Sequence, residues 1–512
     1  MSATLLLYLA VALYLSRALV TWDDESAYVA LGRLAVTGSI SLFQDDMTGQ
    51  RMPLPFYLNG ASQVVFGRNL WAARLTSILV GIIPLGLTIA MARRLSGDLA
   101  GLLAGLLLAT QGVIVGYYAT ATYHALTAAI LMAAVWVLLK QDLRWRHALG
   151  MALASLLFFT RTNMFPAIPF FFVWAWLGAR TASERVAVLM ITGIPPAIFL
   201  FSDPTHLKLL AHVPLLNHFV APLGYRSILS FSAVEHAGPS KQLLAFVLFA
   251  RRYESWPLAA AGLAAVASIL HLKGSLTTIA WRKGTTVVAA LWIWILMWHF
   301  IIWRVNFRYA IAFFPTFAPL AAVLLGVAFA TFLTRQDLPR LARAVLVATL
   351  IGASTVSLIF IRHPLLSQPA PRPFDGDPIQ QLDRAAGDLR ALVPEGQSVF
   401  LFAQPMVAYL ADLNPPLQQF MSAGGTLAPA GVDQGLTAKN GVWGERELER
   451  WLGSELPYAV ISPSLLGAFE TLRPEAVSRI RELLAEHFVA IGQAGRQPLL
   501  LVAVYRRVDG RK

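Results

Sequence analysis

The chain contains no cysteine. That excludes disulfides, thiolate metal sites and cysteine nucleophiles, and leaves the compartment open. Charge is scarce as well. Only 13% of the 512 residues are Asp, Glu, Lys or Arg, against 57% hydrophobic. With a mean hydropathy of +0.60, this composition excludes an ordinary soluble domain and indicates a polytopic membrane protein. Acid is rarest of all. Up to Ile361 there are 26 Lys/Arg but only 12 Asp/Glu, and five of those 12 fall between Asp23 and Asp46. From Arg362 onward the two signs nearly balance, at 15 basic and 16 acidic residues. No internal repeat, P-loop, GxGxxG, HExxH or GxSxG motif is present, which removes the usual nucleotide, zinc-protease and serine-hydrolase readings. The N-terminus has neither a basic n-region nor a small-x-small cleavage site, so residues 5–20 read as a retained first span.

What is present is a series of apolar runs. A spanning helix needs roughly 20 apolar residues. Candidates are 4–20, 72–92, 99–116, 121–139, 148–160, 164–179, 186–201, 256–272, 285–303, 309–333 and 344–361, about eleven in all. Basic clusters occupy alternate gaps: Arg93-Arg94; Lys140, Arg144 and Arg146; Arg180 and Arg185; Lys273, Arg282 and Lys283; Arg335, Arg340 and Arg343. The positive-inside rule makes that side cytoplasmic. The formal charge of +13 would suit nucleic acid. These cations lie between apolar runs, however, where topology and anionic lipid explain them better.

The outer side then holds loop 21–71, loop 202–255 and the tail. The expected organisation is a polytopic α-helical membrane module over 1–361, a proline-rich linker over 362–378 and a soluble α/β domain over 379–512. Short buried strands are expected at Ser398 to Ala403, Tyr458 to Ser462, Phe488 to Ile491 and Leu499 to Tyr505. Helices are expected at Glu445 to Leu452 and Glu475 to Glu486, the second with an apolar face at Val477, Ile480 and Leu484. In the first outer loop Ala27 to Leu34 and Trp71 to Leu75 suit helices. Arg51-Met52-Pro53-Leu54-Pro55 cannot continue a helix, and Leu54, Phe56, Tyr57 and Leu58 suggest a segment lying in the interface.

The most informative stretch is Thr21-Trp22-Asp23-Asp24-Glu25-Ser26-Ala27-Tyr28. Three carboxylates at the mouth of a membrane segment are costly to hold there without a role. Asp24 could cap a helix start, or serve as a general base toward a hydroxyl. Asp23, Asp24 and Glu25 also have the hard oxygens that suit Mg²⁺ or Mn²⁺; metal ranks below the base and stays open. Arg51, Arg74, Arg161, Arg304 and Arg308 lie near outer segment ends, where snorkelling explains a single arginine. A group of them beside an acidic loop suits an anionic lipid head group, since guanidinium binds phosphate bidentately. Tyr117, Tyr118, Thr120, Thr122, Tyr123 and His124 form a polar stripe that suits interfacial aromatics, with His124 able to serve as a base or hydrogen-bond donor. The histidines of loop 202–255 match no firm zinc spacing.

Four places together resemble the GT-C superfamily of membrane glycosyltransferases. Within it the chain is similar to bacterial relatives of protein O-mannosyltransferases and of the lipid A aminoarabinose transferase (glycosyltransferase family 39/83-like). Asp24-Glu25-Ser26-Ala27-Tyr28 looks like the family's Asp-Glu-x-x-Tyr. Arg51-Met52-Pro53-Leu54-Pro55-Phe56-Tyr57 stands for its Lys-Pro-Pro-Leu-Tyr. Phe66-Gly67 with Trp71-Ala72-Ala73-Arg74-Leu75 matches the opening of the second span, and Arg308-Tyr309 before Pro315 matches a late Arg-Tyr segment. The resemblance implies an inverting transferase in the bacterial inner membrane with a periplasm-facing site, moving a sugar from a polyprenyl phosphate to a hydroxyl on a lipid, glycan or protein. It implies Asp24 as base with Glu25 beside it. It implies Arg51 and Arg308 at the lipid phosphate; Arg74, Arg161, Tyr57 and Tyr309 are further donor-side candidates, and Tyr123, His124 and Asp23 are candidates for the acceptor or an auxiliary role. Arginine replaces the family's lysine at 51, and His124 falls where some members have a second outer acid. The rival expectation is a transporter or flippase of a lipid-linked or anionic substrate, which would need mid-membrane charge or broken helices.

Overall fold

A computed structural model describes residues 2–21, 23–42, 52–212, 216–223, 243–248, 257, 260–263, 284–303, 313–334, 336, 339–359, 377–421, 427, 443–498 and 500–508. The chain divides into two compact units that are each discontinuous in sequence. One comprises Met1–Ser16, Ser77–Ser202 and Ser230–Arg372, and the other Arg17–Thr76, Asp203–Leu229 and Pro373–Lys512. The tail after residue 373 therefore shares a unit with the first outer loop.

The first unit is helical. Four helices among the described residues have the length and apolarity to cross a bilayer: Leu70–Ser96, Ala182–Ser202, Gly284–Ile302 and Phe314–Thr334. The apolar helices Ser2–Ala18, His124–Leu139, Arg146–Phe159 and Ala167–Gly178 are shorter. The expected span 99–116 is a bent pair, Asp98–Thr110 and Gly112–Tyr118, turning by 75°. The expected span 256–272 lies mostly outside the described residues. Helix Ala182–Ser202 turns Val186, Leu189, Met190, Ile198 and Phe201 outward, each more than half exposed or close to it. An apolar face of about four turns left bare suits lipid and would be a liability in water.

Small residues bring these helices together. A side chain at Gly326 would press within 2.7 Å of the Ala100 carbonyl and the Ala104 Cβ. On the same helix, Gly101 and Gly105 lie against Ile89 and Arg93. Helix Asp98–Thr110 thus offers small positions toward both Ala318–Thr334 and Leu70–Ser96. Lipid gives no hydrophobic drive between helices, so close van der Waals packing has to supply the association.

The second unit is mixed. Its acidic helix Asp23–Val36 crosses helix Pro53–Phe66 with Gly32 and Gly60 backbone to backbone. Tyr28 and Phe56 pack beside that crossing, ring centroids 4.8 Å apart. Pro53 and Pro55 begin the second helix, with Met52 extended before it. A proline in the first turn sacrifices no hydrogen bond, so a segment unable to continue a helix can still start one.

The tail contributes strands β1 (Val399–Phe402), β2 (Tyr458–Ile461), β3 (Phe488–Ala494) and β4 (Val502–Arg507), in spatial order β1-β2-β4-β3. β1 and β2 are parallel and the other pairs antiparallel. Phe400, Phe402, Trp443, Trp451, Ile461, Val477, Ile480 and Leu484 form the core over one face. β3 extends past Ile491 because a bulge between Ala490 and Gly492 lets pairing resume.

Candidate active site

Helix Asp23–Val36 places the acidic residues in its own first turn, where negative charge meets the positive end of the helix dipole. Successive residues on a helix point about 100° apart. Asp24 and Glu25 accordingly face different surroundings. Glu25 turns inward and is fully buried, while Asp24 is half-buried.

Glu25 meets Arg74 in a bidentate pair. Arg74 Nε donates to Glu25 Oε1 at 2.8 Å and Nη2 to Oε2 at 2.7 Å, and Nη1 donates to the Leu19 carbonyl at 2.8 Å. Neither side chain has any exposure. Parallel charge-assisted bonds of this kind fix orientation as well as charge. A buried pair adds little net stability, but losing either member is severe. Its effect here is geometric: the acidic turn is bound to the start of helix Leu70–Ser96.

A second attachment comes from far along the chain. Gln404 Oε1 accepts from Ser26 Oγ at 3.0 Å, and Gln404 Nε2 donates to the Thr21 carbonyl at 3.1 Å. Nearby, Arg68 Nη1 donates to the Tyr409 carbonyl at 3.0 Å and its other terminal nitrogen pairs with Asp412. Tyr409 Oη donates to Gln63 Oε1 at 3.2 Å, and Arg33 Nη1 donates to the Gln63 carbonyl at 2.8 Å. Burial pushes the Tyr409 phenol up to about 12, opposed by the cations of Arg33 and Arg68.

The other unit holds a separate polar cluster. Thr122 Oγ1 lies 2.7 Å from His124 Nδ1. The His124 ring sits 3.9 Å from that of Tyr123 and 4.3 Å from that of Tyr117. The Arg161 guanidinium stacks 4.3 Å above Tyr123, a cation–π geometry. Arg161 is extended, between the 3-10 turn Leu157–Phe159 and the turn Thr162–Met164.

The sequence candidates therefore fall into groups. Asp24, Glu25 and Arg74 belong to one unit, and Tyr123, His124 and Arg161 to the other. Tyr57, on the helix Pro53–Phe66, is exposed. Arg51, Arg304, Arg308 and Tyr309 lie outside the described residues, as does the Asp23 side chain. Sequence reasoning missed Gln404, Gln63, Arg68 and Tyr409. Only Gln404 carries a local signal, as a polar residue before Pro405 at a helix start. Among the described residues no group of three or more His, Asp or Glu side chains could hold a metal. Glu25 presents both oxygens to Arg74, so an Mg²⁺ or Mn²⁺ drawing on it would compete with a bidentate guanidinium. Glu25 is thereby withdrawn from such a donor set.

Residues 50–202 match the family of dolichyl-phosphate-mannose-protein mannosyltransferases. No curated protein matches the sequence. Among solved structures the chain is similar to ArnT from Cupriavidus metallidurans bound to undecaprenyl phosphate, with a TM-score of 0.56, 14% identity and coverage of 98% of both chains. It is also similar to the Archaeoglobus fulgidus oligosaccharyltransferase in complex with Zn and sulfate, with a TM-score of 0.54, 14% identity, and coverage of 95% of this chain and 71% of that one. The same archaeal enzyme, AglB, with an inhibitory peptide and a dolichol-phosphate matches with a TM-score of 0.52 and 13% identity over 99% and 74%. The resemblance to GT-C membrane glycosyltransferases read from the motifs is thus met again in the fold.

Proposed function

We propose that this chain, a multi-pass membrane protein of GT-C fold, transfers a sugar from a polyprenyl phosphate to an acceptor hydroxyl, with inversion, on the periplasmic face of a bacterial inner membrane. The full proposal includes about eleven crossings and a tail that is an outer α/β domain. The observation that carries it is the division of labour in the acidic turn. Glu25 is wholly buried against Arg74, whereas Asp24, one residue earlier in the same turn, is only half-buried. A general base has to be reachable by its substrate yet held in orientation.

In this reading the acceptor oxygen attacks the anomeric carbon while the bond from that carbon to the phosphate oxygen breaks. The hydroxyl proton passes to Asp24, and the electron pair leaves with the polyprenyl phosphate. The leaving group is already anionic, so no acid has to protonate it, and cations replace the acid. Attack opposite to departure inverts the centre, as in inverting glycosidases. Arg51, Arg161 and Arg308 are the proposed phosphate contacts, with Tyr57 and Tyr309 beside the donor and Tyr123, His124 and Asp23 auxiliary. Arg74 is reassigned from phosphate contact to positioning residue, because its guanidinium is engaged by Glu25 and Leu19. ArnT binds undecaprenyl phosphate and AglB dolichol-phosphate, which supports this donor class.

A second reading, translocation of a lipid-linked substrate, draws on the 75° break near Gln111, since interrupted helices mark transport sites. Asp24→Asn separates the two. Lipid-linked sugars and envelope glycans are compared by mass spectrometry in cells carrying either protein as the sole copy. The transferase reading expects product to fall about 10²–10⁴-fold with expression intact. Undiminished product would remove Asp24 as base, and undiminished lipid translocation by the purified variant with no transfer by wild type would favour the second reading.

A further inference from the structure

The two partners that Gln404 takes in the acidic segment are not neighbours. Thr21 and Ser26 bracket Trp22-Asp23-Asp24-Glu25. A single side-chain amide therefore closes both ends of the segment, donating to one end and accepting from the other. The amide is itself held. Its Oε1 also accepts from the Met406 backbone N–H at 3.1 Å, capping helix Pro405–Leu410, every residue of which is buried. That helix follows β1, whose four residues are buried as well. The position of the clamp is thus set by the sheet.

Charge explains why this residue is a glutamine. It lies beside a run of three carboxylates. An acid there would repel them, and a lysine would pair with them and blunt a base. A neutral group with one donor and one acceptor end fixes the backbone and leaves the charge of the acidic turn alone. Arg74 holds the same turn through Glu25. Arg68 and Tyr409 bind the far end of helix Pro405–Leu410 to the neighbourhood of Gln63. We infer that the C-terminal segment is a strut for the acidic turn, and that Gln404 is a positioning residue that aims Asp24. This rests on the reading of Asp24 as the base.

The test uses full-length protein in lipid nanodiscs. Hydrogen exchange is followed over the peptide Val20–Leu31, and labelling of Asp24 by dicyclohexylcarbodiimide is followed against pH. Lipid-linked sugars from cells carrying each variant report transfer. Gln404→Leu should speed exchange of that peptide about tenfold or more and lower transfer by a similar factor, at an unchanged midpoint for the membrane helices. Gln404→Lys should move the Asp24 labelling midpoint to lower pH by about one unit, which reports that residue 404 stands beside the Asp24 carboxylate. Ser26→Ala removes one of the two bonds and leaves the Met406 cap intact. It should give a smaller change in the same direction, and it decides the matter if Gln404→Leu does not fold. Asp24→Asn is run in parallel. Full transfer by Asp24→Asn defeats the base reading alone. Loss of transfer in Asp24→Asn, with Ser26→Ala and Gln404→Lys matching wild type in exchange, labelling and transfer, overturns the strut while the base reading stands.

Discussion

Consider Glu25→Gln. The substitution keeps the shape of the side chain and removes its charge. Arg74, wholly buried, then loses its anion while Leu19, Val20, Leu70, Ile379 and Leu382 line the pocket beside it. Breaking one side of a buried pair costs about 3–5 kcal/mol, and Arg74→Met should cost a similar amount by stranding Glu25. Combining Glu25→Gln with Arg74→Met leaves no stranded charge and should come within roughly 1–2 kcal/mol of wild type. The coupling between the sites is then on the order of 4 kcal/mol or more. Local opening of the acidic helix gives the readout. At 1.4 kcal/mol per tenfold, each single variant should exchange amides in Val20–Leu31 about two to four orders of magnitude faster. Single-variant effects that simply add in the double variant would refute the pairing. Transfer per folded molecule should also fall less in Glu25→Gln than in Asp24→Asn, because Glu25 acts through the geometry of its neighbour.

Three further outcomes follow from the packing and titration. Gly60→Ala sets a Cβ against the Gly32 carbonyl; backbone cannot swing aside, so the two helices must part at a cost of about 1–3 kcal/mol or more. Gly86→Ala, with open space around it, should instead stabilise by about 0.5–1 kcal/mol, and thermal denaturation of the two variants checks the contrast. Gly326→Val should separate helices Asp98–Thr110 and Ala318–Thr334, seen as a lowered midpoint and faster proteolysis within the first unit, because Ala100 and Ala104 already touch the position. Tyr409 is raised from 10.0 to about 12 by burial, so the folded state favours the neutral phenol. That contribution is whole below pH 10 and is lost as pH climbs from 10 through about 12. The midpoint of Tyr409→Phe, compared with wild type over this window, should lose that share of the alkaline decline.

Much of the helical unit was legible because lipid imposes one rule, a long apolar run, and runs are local. The acidic turn was legible for the opposite reason, as a local violation of that rule. Its partners were not. Arg74 follows Glu25 by 49 residues and reads as one more arginine at a span end. Nothing near residue 404 announces Thr21 or Ser26. Pro53 and Pro55 forbid continuation of a helix, and the helix Pro53–Phe66 begins with them. The bent pair at Gln111 reads as one span because the bend leaves the hydropathy of 99–116 untouched. Pairings across long separations depend on topology, which composition and periodicity do not encode.

Translation gives the clamp a direction in time. Ser26 is made 378 residues before Gln404. At roughly 5–20 residues per second, about 20–80 s pass between them. Throughout that interval the carboxylates have been threaded to their station without the amide that will restrain them. The ribosome must deliver the final quarter of the polypeptide before the opening one can settle. A product that stops before residue 404 would reach the bilayer with its acidic turn held by Arg74 alone, without the amide that joins Thr21 to Ser26.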